Sequence, residues 1–247
     1  MENALLVGLS RQMALARELD VIANNMANVG TNGFKARSAR FNEFIMPVAS
    51  AESFVARDRP LSYVVDKGTP LDLSQGAISR TGNPLDVALR ADNFLVVQTA
   101  NGERYTRAGS LGINAQGQLV TQSGQAVLGN GGAITFGANE SNPRIAADGT
   151  VSTDQGDRGK LRLVRFANPR ALANEGTNLF SSQAPALPAG PEARVEPGAI
   201  EGSNVKAIVE MTRLIEVQRS YQSTANMLAK TDELRGKAIA RLADQQA

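Results

Sequence analysis

Three aspartates, Asp66, Asp72 and Asp86, come nearest to a hydrolytic pair in this chain. Two carboxyls held about 5–10 Å apart can act as acid and as base or nucleophile at a glycosidic bond. Nothing in the sequence places two of these three together, so surface or turn roles are expected for them. Asp148-Gly149, Asp154 and Asp157 form a second acidic group. It lacks the D-x-D-x-D-G spacing of a calcium loop and reads as a turn-rich hairpin. Gly129-Asn130-Gly131-Gly132 misses the dinucleotide fingerprint, and neither Gly159-Lys160 nor Gly236-Lys237 is followed by the Ser or Thr of a phosphate loop.

The chain contains no His and no Cys. That excludes Ser-His-Asp and Cys-His catalysis, thiolate redox chemistry and His/Cys zinc sites. Carboxylate pairs and Ser-Lys nucleophiles stay open on composition alone. No catalytic, cofactor-binding or metal-ligating residue is assigned, and no cofactor is expected. Asn24, Asn25 and Asn28 are poor helix formers near the end of a helical pattern. Their amides would either bond between subunits, with Asn24 and Asn28 on one face at i, i+4, or serve helix-end chemistry. Gly33 and Phe34 would either dock the chain as it leaves the helices or act as a turn glycine beside a core aromatic.

Lys and Arg total 26 against 24 Asp and Glu. A surplus of two charges is too small for a nucleic-acid footprint, and no dense basic run is present. With eight Phe, three Tyr and no Trp, a base-stacking platform is not expected either. The longest apolar run, Ala4 to Leu9, is far shorter than the ~20 residues of a spanning helix, so no membrane insertion is expected. Glu2 and Arg11 fit a signal peptide poorly, and export without a cleaved leader is the expectation.

The elements that would position these residues form five stretches. Residues 1–34 read as a helix, with Leu6, Leu9, Met13 and Ala16 on one stripe and Leu19, Ile22, Met26 and Val29 on a slightly rotated one. Asn28, Gly30 and Gly33 supply the stop. Residues 35–79 read as an extended connector broken by Pro47, Pro60 and Pro70. Residues 80–183 read as short strands at Leu85–Leu89, Phe94–Gln98, Arg104–Arg107, Leu111–Ile113, Gln118–Thr121, Ala126–Leu128, Ala133–Phe136, Val151–Thr153 and Lys160–Phe166. Turns at Asn101-Gly102, Gln116-Gly117, Ser123-Gly124 and Asp148-Gly149 separate them. Residues 184–203, with Pro185, Pro188, Pro191 and Pro197, read as a stiff linker. Residues 204–247 read as a second helix, about 60 Å long and capped by Ser203 or Asn204. Its stripe is Leu214, Val217, Tyr221, Ala225 and Leu228, extended by Ile239 and Leu242. The fold class is therefore α+β: terminal helices pairing as a coiled-coil-like unit around a central antiparallel β domain.

An apolar stripe must be covered, because packing supplies most of a helix's stability. The simplest partners for the two stripes are each other, then the same helices in neighbouring copies. An ordinary hairpin within a monomer is the alternative. The assembly interface expected from these readings comprises Leu6, Leu9, Met13, Leu19, Ile22, Asn24, Asn25, Met26, Asn28, Gly33 and Phe34. From the second helix it adds Met211, Leu214, Ile215, Val217, Tyr221, Ala225 and Leu228.

The segment from Ala23 to Lys35, Ala-Asn-Asn-Met-Ala-Asn-Val-Gly-Thr-Asn-Gly-Phe-Lys, resembles the N-terminal signature of the flagellar rod and hook proteins. Glu201-Gly202-Ser203-Asn204-Val205, with Glu210-Met211, Leu214-Ile215-Glu216, Gln218-Arg219 and Tyr221, resembles the same family's C-terminal helix. Leu85-Asp86-Val87-Ala88, Tyr105 to Gly109, Gly117 to Val120, Val127-Leu128-Gly129, Gly159 to Leu163 and Asn178-Leu179-Phe180 are similar to its β region. Arg90 to Leu95 departs from the family's Gly-x-Gly-Phe-Phe stretch, and Leu111 stands where Phe is common. Length and the modest β region are most like the proximal rod branch, with a distal rod or hook-type axial protein the near alternative. The resemblance implies a non-enzymatic subunit of a helical tube across the periplasm, whose partners are copies of itself, other rod proteins and the flagellar type III export apparatus. A carboxylate-dependent wall hydrolase is the reading outside the family.

Overall fold

The structure, a computed structural model, describes residues 2–45, 62–66, 68–176, 178–190 and 193–244. Pro47, Pro60 and Pro191, and the side chains of Asp66, Ile239 and Leu242, lie outside what is described. The chain divides into two compact units. One comprises Met1–Met26, Arg37–Pro70 and Ala207–Ala247; the other comprises Ala27–Ala36 and Leu71–Lys206.

The first unit is built on α1 (Glu2–Ala27), α2 (Ala207–Asp244) and a strand pair, β1 (Phe41–Ile45) and β2 (Ser62–Asp66). α1 ends where Asn28 and Gly30 were expected to stop it. β1 and β2 pair antiparallel from Phe41 opposite Asp66 to Ile45 opposite Ser62. This pair corrects the reading of 35–79 as connector throughout. Its two strands are separated by more residues than a hairpin turn uses, so local turn chemistry gives no signal for it.

The second unit is all β. Its strands are β3 (Ile78–Arg80), β4 (Val87–Leu89), β5 (Phe94–Thr99), β6 (Gly102–Thr106), β7 (Leu111–Ile113), β8 (Leu119–Thr121), β9 (Ala126–Gly129) and β10 (Gly132–Ala133). There follow β11 (Arg144–Ile145), β12 (Thr150–Thr153), β13 (Gly156–Lys160), β14 (Leu163–Arg165), β15 (Ala173–Asn174), β16 (Leu179–Ser181), β17 (Leu187–Pro188), β18 (Val195–Pro197) and β19 (Ala199–Glu201). Every pairing among the described residues is antiparallel. The main sheet runs β15-β16-β6-β5-β9-β8-β7, with β14 also on β5. The four expected turn glycines, Gly102, Gly117, Gly124 and Gly149, all take positive φ.

β5 shows why an apolar run reads as a central strand. Side chains alternate faces, yet Phe94, Leu95, Val96 and Val97 are all fully buried. Leu95 and Val97 join a core with Leu89, Leu119, Val127 and Val151. Phe94 and Val96 face a second core with Phe166, Leu172 and Phe180. There Phe94 meets Phe166 and Phe180 edge to face, each at 5.7 Å between centroids.

Three expectations need correction. The single strand expected at Lys160–Phe166 is two: β13 pairs with β12, while β14 pairs with β5 and β17. Buried Leu161 carries the chain between the two sheets. The Pro-rich stretch, expected as a stiff linker, is extended but paired into the β unit. β17, β18 and β19 pair with β14, β4 and β3. Pro188 is tolerated because β17 has a neighbour on one side, and Pro197 because it closes β18. Finally, α2 starts at Ala207, so neither Ser203 nor Asn204 is its N-cap.

Candidate assembly site

In the first unit α1 and α2 lie against one another and run antiparallel. Gly8 meets Leu228, Glu18 meets Arg213 with 3.2 Å between Oε1 and Nη2, and Asn25 donates from Nδ2 to Glu210 Oε2 at 3.1 Å. Climbing α1 therefore descends α2. The approach is close at Gly8, where a Cβ would meet the Leu228 side chain and push its end aside. The facing sides are covered: Val21, Ile22, Val217 and Thr224 are buried.

Asn25 closes this end of the helix pair. Its Nδ2 also donates to Arg37 O at 2.8 Å, and its Oδ1 accepts from Arg37 N at 2.9 Å. The amide thus satisfies the main chain of Arg37 and one oxygen of Glu210. It is fully buried, as an unpaired amide would not be.

The other faces stay open. Leu6, Leu9 and Met13 on α1 are 50, 50 and 66 % exposed, and Ile208, Met211 and Ile215 on α2 are 83, 52 and 47 % exposed. Each set repeats at i, i+3, i+7, which aligns it on one stripe.

The second unit holds a buried ionic junction. Glu201, at the end of β19, accepts Lys35 Nζ on Oε1 at 2.6 Å and Arg107 Nε on Oε2 at 2.9 Å. Gly76 N donates to the same Oε1 at 3.0 Å. Lys35 Nζ also donates to Ser74 O, and Arg107 Nη1 to the carbonyls of Ala91 and Asn93. All three ionic side chains are sealed from solvent. Burial holds the Lys35 amine below the ordinary lysine range and the Arg107 charge pushes the same way, while Glu201 opposes both.

The main chain around this junction ties the two segments that lead to the helices. Gly33 N donates to Glu201 O at 2.7 Å, and Ala36 N to Asn204 Oδ1 at 2.7 Å. Asn204 Nδ2 donates to Asp72 O and Ser74 O. Gly33 sits at φ +71°, and a Cβ on it would lie 2.5 Å from the Arg107 carbonyl carbon and oxygen, so only glycine fits. Phe34 is buried beside it.

Three profiles from known proteins match the chain. One described as flagella basal body rod protein covers residues 5–35. A second, the flagellar hook protein FlgE/F/G D1 domain, covers 88–153, and a third, the flagellar basal body rod FlgEFG protein C-terminal region, covers 196–241. The flagellar basal-body rod protein FlgF of Caulobacter vibrioides is 39 % identical over 98 % of both chains. This chain belongs to the flagellar basal-body rod protein family. FlgF of Salmonella typhimurium is 34 % identical, over 96 % of this chain and 97 % of its own. FlgG of Agrobacterium fabrum is 32 % identical, over 94 % and 96 %.

Within this rod-family chain the expected interface residues fall into three groups. Leu6, Leu9, Met13, Asn24, Met211 and Ile215 are exposed. Leu19, Met26, Leu214, Tyr221, Ala225 and Leu228 are half-buried. Ile22, Asn25, Gly33, Phe34 and Val217 are buried within their own chain. Asn28 makes a helix-end turn, its Oδ1 accepting from Thr31 Oγ1 and its carbonyl from Thr31 N. Lys35, Arg107, Glu201, Asn204 and Glu210 carry the junction and the helix closure but were not singled out for such roles. Their only sequence signal is charge or amide within the family motifs, and the partners stand up to 185 positions apart.

The acids considered for chemistry are structural where described. Asp86 accepts Thr81 Oγ1 at 2.7 Å, Asn83 Nδ2 at 3.1 Å and Ser110 Oγ at 3.3 Å. Asp72 Oδ1 accepts from Ser74 N, a turn of the Asx kind. Asp148 binds the Thr150 hydroxyl and amide, which hold its carboxyl below the usual range with help from Lys160. Among the described residues no three Asp, Glu, His or Cys gather as a metal site.

Proposed function

We propose that this chain is a structural subunit of the flagellar basal-body rod, assembled through its two terminal helices. The role is mechanical, with no catalytic step and no cofactor. The helices within 1–34 and 204–247 form the assembly domain, and their pairing continues between copies in coiled-coil fashion to wall a helical tube. Torque passes along that wall, and exported subunits pass through it. Other rod proteins of the family join its two ends. The chain reaches the rod through the flagellar type III export apparatus, with its N-terminus retained.

The observation that carries this reading is the exposed apolar row on a helix pair whose facing sides are already buried. An apolar row left in water loses about 25 cal/mol for each Å² of apolar surface that a neighbour would cover. Such rows, repeated on every copy, lead to contacts between copies.

The test replaces Leu6, Leu9 and Met13 together by Ser in cells whose own copy is deleted. The variant is expected to keep its far-ultraviolet circular dichroism and to be missing from purified basal bodies, with swimming lost. Normal incorporation and swimming would remove the assembly role given to α1.

A further inference from the structure

The second unit contains a pocket of about 410 Å³ that the assembly role does not use. Four separate stretches form it: the loop after α1, the end of β6 with the chain beyond it, the turn between β8 and β9, and the residues entering β16. Every described side chain in its lining is uncharged, and most end in an amide or a hydroxyl. Several of these groups are bonded in ways that fix what they still offer. Gln122 donates from Nε2 to Ser110 Oγ at 3.1 Å, and Ser110 Oγ donates in turn to Asp86 Oδ1 at 3.3 Å. The Gln122 amide is thereby oriented, with Oε1 left to accept. Thr121 Oγ1 donates to Gln125 Oε1, which leaves the Gln125 Nε2 to donate. Asn178 differs from these. Its Nδ2 donates to Asn32 O at 2.6 Å and its carbonyl accepts from Thr106 Oγ1 at 2.9 Å, yet its buried Oδ1 has no hydrogen-bond partner among the described residues. A buried acceptor without a donor is costly, so such an atom marks a place where a water or a ligand group belongs.

We propose that this pocket binds a sugar unit of a neutral glycan. The lining presents acceptors and donors together, and a ring bearing hydroxyls answers both without bringing a charge. A charged ligand would meet no described counter-charge in the lining, and nearby Asp86 is engaged by Thr81, Asn83 and Ser110. An apolar ligand would take water from the amides and return no hydrogen bonds. A peptide strand is recognised by a row of main-chain groups along a sheet edge. Here the polar groups are side chains that four stretches bring around one pocket. The volume is at the lower end of the range for small-molecule sites, room for roughly one or two rings. A ligand hydroxyl or acetamido N–H donates to Asn178 Oδ1. A second hydroxyl donates to Gln122 Oε1, Gln125 Nε2 donates to a ring or hydroxyl oxygen, and Ala108 and Leu179 carry the C–H face. The binding is independent of the rod role.

The full-length protein is titrated in turn with N,N′-diacetylchitobiose, with cellobiose and with N-acetylalanine methylamide, and binding is read by saturation-transfer difference NMR. Two variants accompany it. Gln122→Ala removes an exposed amide in a turn. Asn178→Gly removes the unpartnered oxygen with a residue that accepts the φ of +63°. Circular dichroism checks that both fold. The expected result is binding of at least one disaccharide and none of the peptide amide. In each folded variant the dissociation constant should rise roughly fivefold, the loss of one hydrogen bond. Binding of the acetamido sugar alone assigns the Asn178 contact to its N–H, and equal binding of both sugars assigns it to a hydroxyl. Binding of the peptide amide and of neither sugar overturns the proposal and makes the pocket a peptide site. Sugar binding that is unchanged in both variants overturns it by placing the ligand elsewhere. Silence from all three probes overturns it and leaves the pocket to water. Should Asn178→Gly fail to fold, Gln122→Ala alone decides.

Discussion

Replacing Glu201 by Gln tests the buried junction most severely. The substitution keeps shape and one acceptor oxygen but removes the carboxylate bonded to both Lys35 and Arg107. Two cations then remain sealed from solvent without the carboxylate that bonded both of them. Breaking a buried pair by removing one partner costs about 3–5 kcal/mol. Against a total stability of about 5–15 kcal/mol for a domain, that is a large share. For a unit of this size the midpoint should fall by roughly 6–20 °C. Lys35→Met should cost less, about 1–3 kcal/mol, because Glu201 still pairs with Arg107 and no charge is left buried without a partner. The full-length protein is unfolded in urea at neutral pH and followed by circular dichroism, with the slope checked for change. A pH series adds a second readout. The folded chain holds the Lys35 proton less tightly than the unfolded chain does. Stability owed to this group therefore rises with pH from its lowered folded value up to the ordinary lysine value, and Lys35→Met abolishes that rise. Glu201→Gln within 1 kcal/mol of the parent, or less harmful than Lys35→Met, would refute the reasoning.

Further substitutions address single contacts. Gly33→Ala forces a Cβ against the Arg107 backbone at positive φ and should destabilise by about 1–3 kcal/mol from strain alone, read as a lowered urea midpoint. Gly8→Ala should weaken the helix pair, and Leu228→Ala should recover part of the loss by making room; a double variant whose loss equals the sum of both would show that the two residues do not touch. Asn25→Asp places a carboxylate beside Glu210, so the loss should be larger at pH 7 than at pH 4, where protonation removes the repulsion. An equal loss at both pH values would contradict the placement of Asn25.

Much of the fold was legible where one short stretch carries its own instructions. β5, β7, β8 and β9 follow from apolar runs bounded by Gly turns, and α1 from its spacing and its Asn-Gly stop. β18 and β19 were not legible, because the strands they pair with lie more than a hundred residues earlier and prolines dominate the local pattern. The apolar stripes were visible in the sequence, but spacing alone does not say which members face the partner helix of the same chain. Ile22 and Val217 turn inward, while Leu9 and Ile215 turn outward. The same limit applies to Asn25 and Lys35. A polar residue in a signature segment reads equally as surface or as buried network, and only the partners Arg37, Glu210 and Glu201 decide it.

A density map of basal bodies from cells whose only copy of the protein is this chain would be the most direct test. The account requires α1 and α2 of each copy to lie against the helices of neighbouring subunits, with Leu9 and Ile215 at contacts. A map in which both helices face solvent, or a rod from which this chain is missing, would contradict it.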